Sequence, residues 1–441
     1  MPLPVWQQRY DPLGSHLLST LAAALPLVTL LAMLASRRIR AHYAAVAGLA
    51  MALAVAITIV GMPARQAFAA AGFGAAYGLF PIGWIILNVI FLYGLVEDRG
   101  LLAALRLSIM RVTTDARLQL LLVAFCFGAF FEGAAGFGTP VAVTGAMLIG
   151  LGFPPLEASG LSLIANTAPV AFGALGTPII ALQGVTGLDL HALSAMVGRQ
   201  LPVFSVIVPF WLIAAHSGFR GVREVWPALL VAGVSFAIPQ FLVSNYHGPW
   251  LVDVIAAMVS IAILTGFLRV WGPRGGMRSN HDDPALDAVG PATETRNPWF
   301  PWIILSVVVF VWGLPQTKSF LNRISSPAIP IPGLDKLVER VQPVVAKPVA
   351  EAAVFSLNWL SATGTAIFIT AIVCGALLKY SPREMYRAYG RALMTVRHSL
   401  ITIAAMLALG YTTRYSGEDA ILGLAFAGSA TFYPFFGTLL G

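Results

Sequence analysis

The sequence predicts an all-α integral membrane protein of about 12 membrane passes, some of them broken or re-entrant helices. Three observations predict it. First, 58% of the 441 residues are hydrophobic and 10% are charged, where soluble domains carry about 25% charged residues. Second, apolar runs of about 20 residues, the length that crosses a bilayer, recur from end to end. Third, residues 118–188 hold two charges, Glu132 and Glu157, yet are interrupted repeatedly by Gly and Pro. Broken backbone at membrane depth survives where protein covers it or where it lines a cavity. The net charge of +8 is therefore no sign of nucleic-acid binding, because excess Lys and Arg in a membrane protein marks cytoplasmic loops.

The elements follow in order. Residues 13–35 and 43–61 are spans joined by Arg37, Arg38 and Arg40. The first lacks the basic leader and cleavage site of a signal peptide and is read as a retained helix. The small-residue segment 67–79 is interfacial or re-entrant, and 81–96 spans again. A basic connector with Arg99, Arg106, Arg111 and Arg117 leads into the broken region, 128–178. There 118–132 and 139–153 are short for crossings, and 158–183 is interrupted in its middle. Four crossings, or two plus re-entrant hairpins, fit equally well. Spans at 200–216, 226–244 and 251–270 come next, with Asp253 read as interfacial. A polar loop, 272–298, is expected in the cytoplasm. After a span at 299–314, the loop 315–351 is expected outside; it contains SSPAIPIPGLDKLVERVQP and is read as Pro-rich with one short amphipathic helix. Spans at 352–378 and 396–413 complete the pattern, separated by Lys379, Arg383, Arg387 and Arg391. The distribution of basic residues puts the N-terminus outside. Cys126 and Cys374 lie inside apolar runs and are expected to pack, not to pair. Without Cys or His spacing of metal type, neither a metal nor a cofactor is expected.

Within 128–178 the sequence nearly repeats itself. Gly133–Val141 reads GAAGFGTPV and Gly173–Ile179 reads GALGTPI, so two Gly-Thr-Pro breaks stand 38 residues apart. Gly supplies backbone freedom, Thr is a good N-cap, and Pro suits the first helical position. Thr139 and Thr177 are thus expected to start two half-helices inside the membrane. Their free N–H groups and positive dipole ends favour an anion, as in the discontinuous helices of secondary transporters. The alternative is that the glycines serve close helix packing. The candidate binding residues are Gly136, Gly138, Thr139, Asn166, Thr167, Gly176 and Thr177, with Asn166 also readable as a plain interhelical hydrogen bonder.

Glu132 is the candidate proton-coupling residue. An ionisable side chain inside an apolar segment is a functional hypothesis by default. Because it ends its run, a position at the water interface is the alternative. Glu157 is expected in a solvated loop. Arg391, Arg397 and His398 are expected to anchor the cytoplasmic face, with Arg414, Glu418 and Asp419 at the outer interface.

The segments EGAAGFGTPVAVTGAML and ASGLSLIANTAPVAFGALGTPI resemble the bacterial L-lactate permease family. So do WQQRYDPLG, RLQLLLVAFCFGAFFEG, MVGRQLP, GVREVWPALLVAGVSFAIPQ, IPIPGLDKLV and FSLNWLSATGTAIF, so the resemblance covers essentially the whole chain. It implies an inner-membrane carrier that takes up L-lactate and related 2-hydroxy monocarboxylates such as glycolate with H+ as coupling ion. By position, the family's glycine-rich motif falls on Glu132 to Pro140 and its Asn-Thr-Ala-Pro motif on Asn166 to Pro178. Two departures stand out. The family's Asn-Tyr-Ser-Gly reads Arg414-Tyr415-Ser416-Gly417 here. The family also continues past FFGTLLG with a second broken region and further spans. This sequence is thus expected to be the larger part of an inverted-repeat carrier, with transport impaired if these residues are the whole polypeptide.

The expected partners are a small carboxylate substrate and membrane lipid. The other classes are a sodium-coupled carboxylate carrier using unwound carbonyls at the same breaks, and an inactive fragment or membrane assembly partner. No catalytic triad, metal cluster or phosphate loop points to an enzyme.

Overall fold

The computed structural model describes residues 5–36, 39–101, 104, 112–134, 136, 139–272 and 298–427. The expected cytoplasmic loop 272–298 falls almost wholly outside them, as does Gly138. Among the described residues, seven helices are long and apolar enough to cross a membrane, or nine if each of two bent pairs is one span. The membrane-helical architecture is the expected one. Several further apolar segments among the described residues are shorter than a crossing. Thr139–Gly150 has 12 residues, Phe300–Gly313 has 14 and Thr363–Leu377 has 15, against the roughly 20 that a crossing needs.

The chain forms two compact units. The first holds residues 1–83, 324–360 and 395–441. Its helices α1 (His16–Ala35) and α2 (Ala41–Thr58) pack as a hairpin. α3 (Ala64–Tyr77) lies so close to residues 403–408 that a Cβ on Gly74 would meet the Leu407 carbonyl oxygen at 2.3 Å. A Cβ on Gly78, one turn on, would meet Ala404 at 3.0 Å. This is the small-residue packing that stands in for hydrophobic driving force in lipid. At one end of the unit β1 (Trp6–Gln7) pairs parallel with β3 (Val338–Arg340), which pairs antiparallel with β4 (Val349–Ala350). β2 (Ala328–Pro330) pairs with β5 (Val354–Ser356). The N-terminal segment and the 325–356 segment therefore share one face. The stretch GLDKLVERV is a turn followed by β3. Pro330 and Pro332 precede it, and Lys336 takes a left-handed φ of 57°, which a helix does not tolerate. The helix of this loop is earlier, at Pro315–Ile324. Arg414 is also tied into this face, bonding Glu351, which pairs with Arg340 at 2.5 Å. Glu418, expected at the interface, is fully buried and accepts from Ser416.

The second unit holds residues 84–323 and 361–394. In it the continuous helix α4 (Trp84–Asp98) packs on Thr363–Leu377, with Asn88 donating to the Gly364 carbonyl at 3.1 Å. α5 (Ala116–Ala134) contains a π-helical stretch, Leu121–Phe127. It is followed by α6 (Thr139–Gly150), α7 (Pro155–Asn166) and α8 (Gly173–Thr186). α9 (Leu190–Tyr246) comprises two long helices merged across Gly218, which has φ 68° and ψ −177°. They correspond to the expected spans 200–216 and 226–244. α10 (Val252–Val270) completes the cluster.

Four contacts orient these helices. Arg117 bonds Asp115 at 2.9 Å and Glu224 at 2.6 Å. His216 bonds Glu157 at 2.6 Å, and the Phe153 ring lies 5.0 Å from the His216 ring. Residues 115–117, 153–157 and 216–224 thus gather at one end. The chain leaves that end in α5 and returns to it in α6. It then leaves again through the bent pair α7 and α8, whose axes differ by 70°, before 190–217 comes back.

Candidate functional site

The site is built where three interruptions of helical structure meet. α5 ends at Ala134, and Gly136 takes a left-handed φ of 60°. A Cβ on Gly136 would lie 2.8 Å from the Ala174 Cβ, so the first break touches the second. In the second break Ala174 (φ 43°), Leu175 (φ 55°) and Gly176 (φ 77°) are all left-handed. Two non-glycine residues in that region cost about 1–2 kcal/mol each. A Cβ on Gly176 would meet the Pro249 carbonyl oxygen at 2.5 Å. The third interruption is therefore the 247–251 turn between α9 and α10. An apolar cluster of Phe172, Ile179 and Val252, covered by Leu193, Val197 and Val243, backs the site.

Glu132 lies in the last turn of α5 and is 5% exposed. The interfacial alternative therefore does not hold. The polar group beside its carboxylate is the amide of Asn166, the last residue of α7, and Oε2 has no partner. Gly173 makes room for it, since a Cβ there would sit 2.2 Å from Glu132 Oε1. The helix end that carries Glu132 also presses on α10. A Cβ on Gly133 would lie 2.8 Å from the Asp253 Cβ and from the Val254 nitrogen. Asp253 is 1% exposed, not interfacial as its position in the sequence suggested. The 247–251 turn is covered by the second break, so the start of α10 is sealed from water. The residue that the sequence reading missed is thus a second buried carboxylate. The signal available was an acid placed after three apolar residues, Trp250–Val252, at the start of an apolar run just after Gly248-Pro249.

The other candidates sort unevenly. Thr139 begins α6, where the Gly-Thr-Pro reading places a helix start. Right-handed helix in α8 resumes at Thr177, directly after Gly176. The hydroxyl of Thr177 is buried, and it donates to the Ala174 carbonyl at 2.6 Å and the Gly173 carbonyl at 3.3 Å. It ties down the left-handed loop and does not act as the expected cap acceptor. Thr167 is exposed and donates to the Ile164 carbonyl at 2.7 Å. It is turned away from Asn166, because neighbours on a helix point about 100° apart. Glu132, Asn166, Gly136, Gly176 and Thr177 are brought together, and Thr167 is not.

Comparison with known proteins decides the family. The family model described as L-lactate permease matches residues 19–441. The chain belongs to the L-lactate permease family. It is 44% identical to the L-lactate permease of Escherichia coli K12, over 99% of this chain and 81% of the relative. It is 43% identical to the Glycolate permease GlcA of the same strain, with the same coverage of both chains. It is 40% identical to the L-lactate permease of Bacillus subtilis 168, over 99% of this chain and 82% of the relative. No solved structure matches. Membership makes this chain a multi-pass membrane permease and not an enzyme. A permease of small anions needs a buried polar site among apolar helices, and the break cluster around Glu132 has that character. Among the described residues no group of three or more His, Cys, Asp or Glu is placed to hold a metal ion.

Proposed function

We propose that this chain is a secondary active carrier that takes L-lactate and related 2-hydroxy monocarboxylates such as glycolate into a bacterial cell, across its cytoplasmic membrane, together with a proton. The observation that carries the reading is the buried Glu132 carboxylate, beside the Asn166 amide where two left-handed helix breaks meet. The relatives named for lactate and for glycolate support the substrate class.

In this reading the substrate carboxylate lies against the backbone N–H groups that open the helices at Thr139 and Thr177. Helix N-termini present unsatisfied donors and a positive dipole end to an anion. Asn166 keeps Oδ1 without a partner, an acceptor for the substrate's 2-hydroxyl. Glu132 supplies the coupling. Protonated, it is neutral and can donate; ionised in a low-dielectric interior, it repels a carboxylate. Anion and proton therefore travel as a neutral pair, and the bilayer interior never holds an unpaired charge from the cargo. The N-terminus and the 325–356 face lie outside in this reading, with the basic connectors inside.

Purified protein in vesicles with an imposed pH gradient tests this. Labelled lactate is expected to accumulate on the alkaline side, to stop on collapse of the gradient, and to be unaffected when choline replaces sodium. The Glu132→Gln variant is expected to lose accumulation. Sodium dependence, or gradient-driven uptake equal to wild type in Glu132→Gln, would sink the reading of Glu132 as the proton site.

A further inference from the structure

Asp253 has no ordinary structural explanation. An Asp in the first turn of a helix usually caps it or bonds a free N–H. Here neither oxygen has a hydrogen-bond partner, and the residue is 1% exposed. No side-chain cap bond is made at the start of α10. The polar group beside Asp253 is the Gln240 amide, but that amide is engaged elsewhere. Its oxygen accepts from Ser205 at 2.7 Å and its nitrogen donates to the Ala168 carbonyl at 3.3 Å.

The charged neighbour of Asp253 is Glu132. The two are drawn together by Gly133, which lets the end of α5 lie directly on the Asp253 turn. The groups facing the pair can be named element by element. α7 contributes Asn166 and the second half of α9 contributes Gln240. No Lys, Arg or His among the described residues figures among the electrostatic neighbours of either acid. Two ionised carboxylates held together in an apolar interior with no cation are costly, and each disfavours ionisation of the other.

We propose that Glu132 and Asp253 act as one acid pair, with Asp253 the second seat of the coupling proton, and that an anionic substrate is accepted only when the pair is protonated. This rests on the carrier reading above and adds the residue and the order of binding. A proton moves from water to a carboxylate oxygen of the pair, the substrate anion binds, and both leave on the other side. No bond in the substrate changes.

The test compares two modes of transport in the same vesicles. Equilibrium exchange of labelled for unlabelled lactate needs no net proton movement, whereas gradient-driven accumulation does. Asp253→Asn is expected to keep exchange and lose accumulation, and Asp253→Glu to restore accumulation. Accumulation at the wild-type level in Asp253→Asn overturns the proposal. So does loss of exchange together with accumulation in a variant that remains monodisperse, because an amide that replaces a titrating group leaves exchange in place. Infrared difference spectra of the wild-type protein serve if the variant does not fold. Lactate is expected to perturb a protonated carboxylic acid band that shifts on isotopic labelling of Asp carboxyls, and a band insensitive to that label overturns the proposal. Wild-type vesicles that perform neither mode overturn the carrier reading itself, a result distinct from any of these.

Discussion

Replacing Gly173 with Ala is the sharpest probe of how Glu132 is held. Gly173 has φ −58° and ψ 157°, a conformation open to any residue, so Ala brings no backbone strain. The effect is steric. The new Cβ would lie 2.2 Å from Glu132 Oε1, 3.0 Å from Cδ and 3.2 Å from Cγ, so the carboxyl group must move by about 1 Å to reach van der Waals separation. Overpacking of this kind costs about 1–3 kcal/mol. Gly160→Ala is the control. It lies inside α7 with nothing within 4 Å of the added Cβ, and Ala in place of Gly in a helix is favourable by up to about 1 kcal/mol.

The assay is thermal unfolding of the purified protein beside gradient-driven lactate uptake. Gly173→Ala is expected to unfold earlier and to lose uptake, while Gly160→Ala unfolds at or above the wild-type temperature with uptake intact. Adding Glu132→Asp to Gly173→Ala removes one methylene and is expected to recover unfolding temperature but not full transport, because the shorter acid draws back from the break. Wild-type stability and uptake in Gly173→Ala would refute the placement of Glu132 against this glycine.

Three further outcomes follow from other parts of the fold. Thr177→Val removes both hydroxyl bonds to the left-handed loop at a cost of about 1–2 kcal/mol, whereas Thr177→Ser keeps them; equal unfolding temperatures for the two would show that the hydroxyl holds nothing. Arg117→Met strands the buried Asp115 carboxylate and is expected to cost about 3–5 kcal/mol, with Asp115→Asn in the same protein restoring much of it; no restoration counts against the pair. Burial pushes the carboxyl of Glu418, the first residue of the short helix Glu418–Ala427 after the last span, up to about 8 from 4.5. A folded-state value above the unfolded one means that its contribution is complete below 4.5 and is lost as pH rises through about 8. The wild-type unfolding temperature should therefore fall over that window relative to Glu418→Gln, and parallel curves for the two would remove Glu418 as the cause.

Much of this was legible in the sequence, and the illegible part has physical causes. Apolar run length reports membrane helices because lipid demands about 20 residues per crossing. The Gly-Thr-Pro triplets report helix starts because local backbone chemistry is written in neighbouring residues. Asp253 was not legible because an acid at the start of an apolar run looks the same whether its turn faces water or is covered. Only the packing of Gly176 on Pro249 decides that, and those residues are far apart in the chain. The left-handed Ala174 and Leu175 were hidden for a related reason. Neither residue type favours that region, and tertiary contacts, with the Thr177 hydroxyl, hold them there. In β3 a pattern that alternates like a helix face forms a strand, since its edge is completed by β1 and β4.

The charge balance of the site bears on why it contains acids and no base. A fixed Arg would satisfy a substrate carboxylate at any pH, and the anion would then bind whether or not a proton accompanied it. Backbone donors at helix starts are weaker and carry no net charge. Against them, an ionised acid nearby is enough to exclude an anion, and protonating that acid is enough to admit it. Dipoles without a cation thus make substrate affinity conditional on protonation. Two acids sharing one environment sharpen the condition, because the first proton to leave makes the second harder to remove. The same logic accounts for the glycines. Gly133 and Gly173 stand where any side chain would hold Glu132 away from Asp253 or from the break, and the coupling of anion to proton proposed above requires all three within reach of one another.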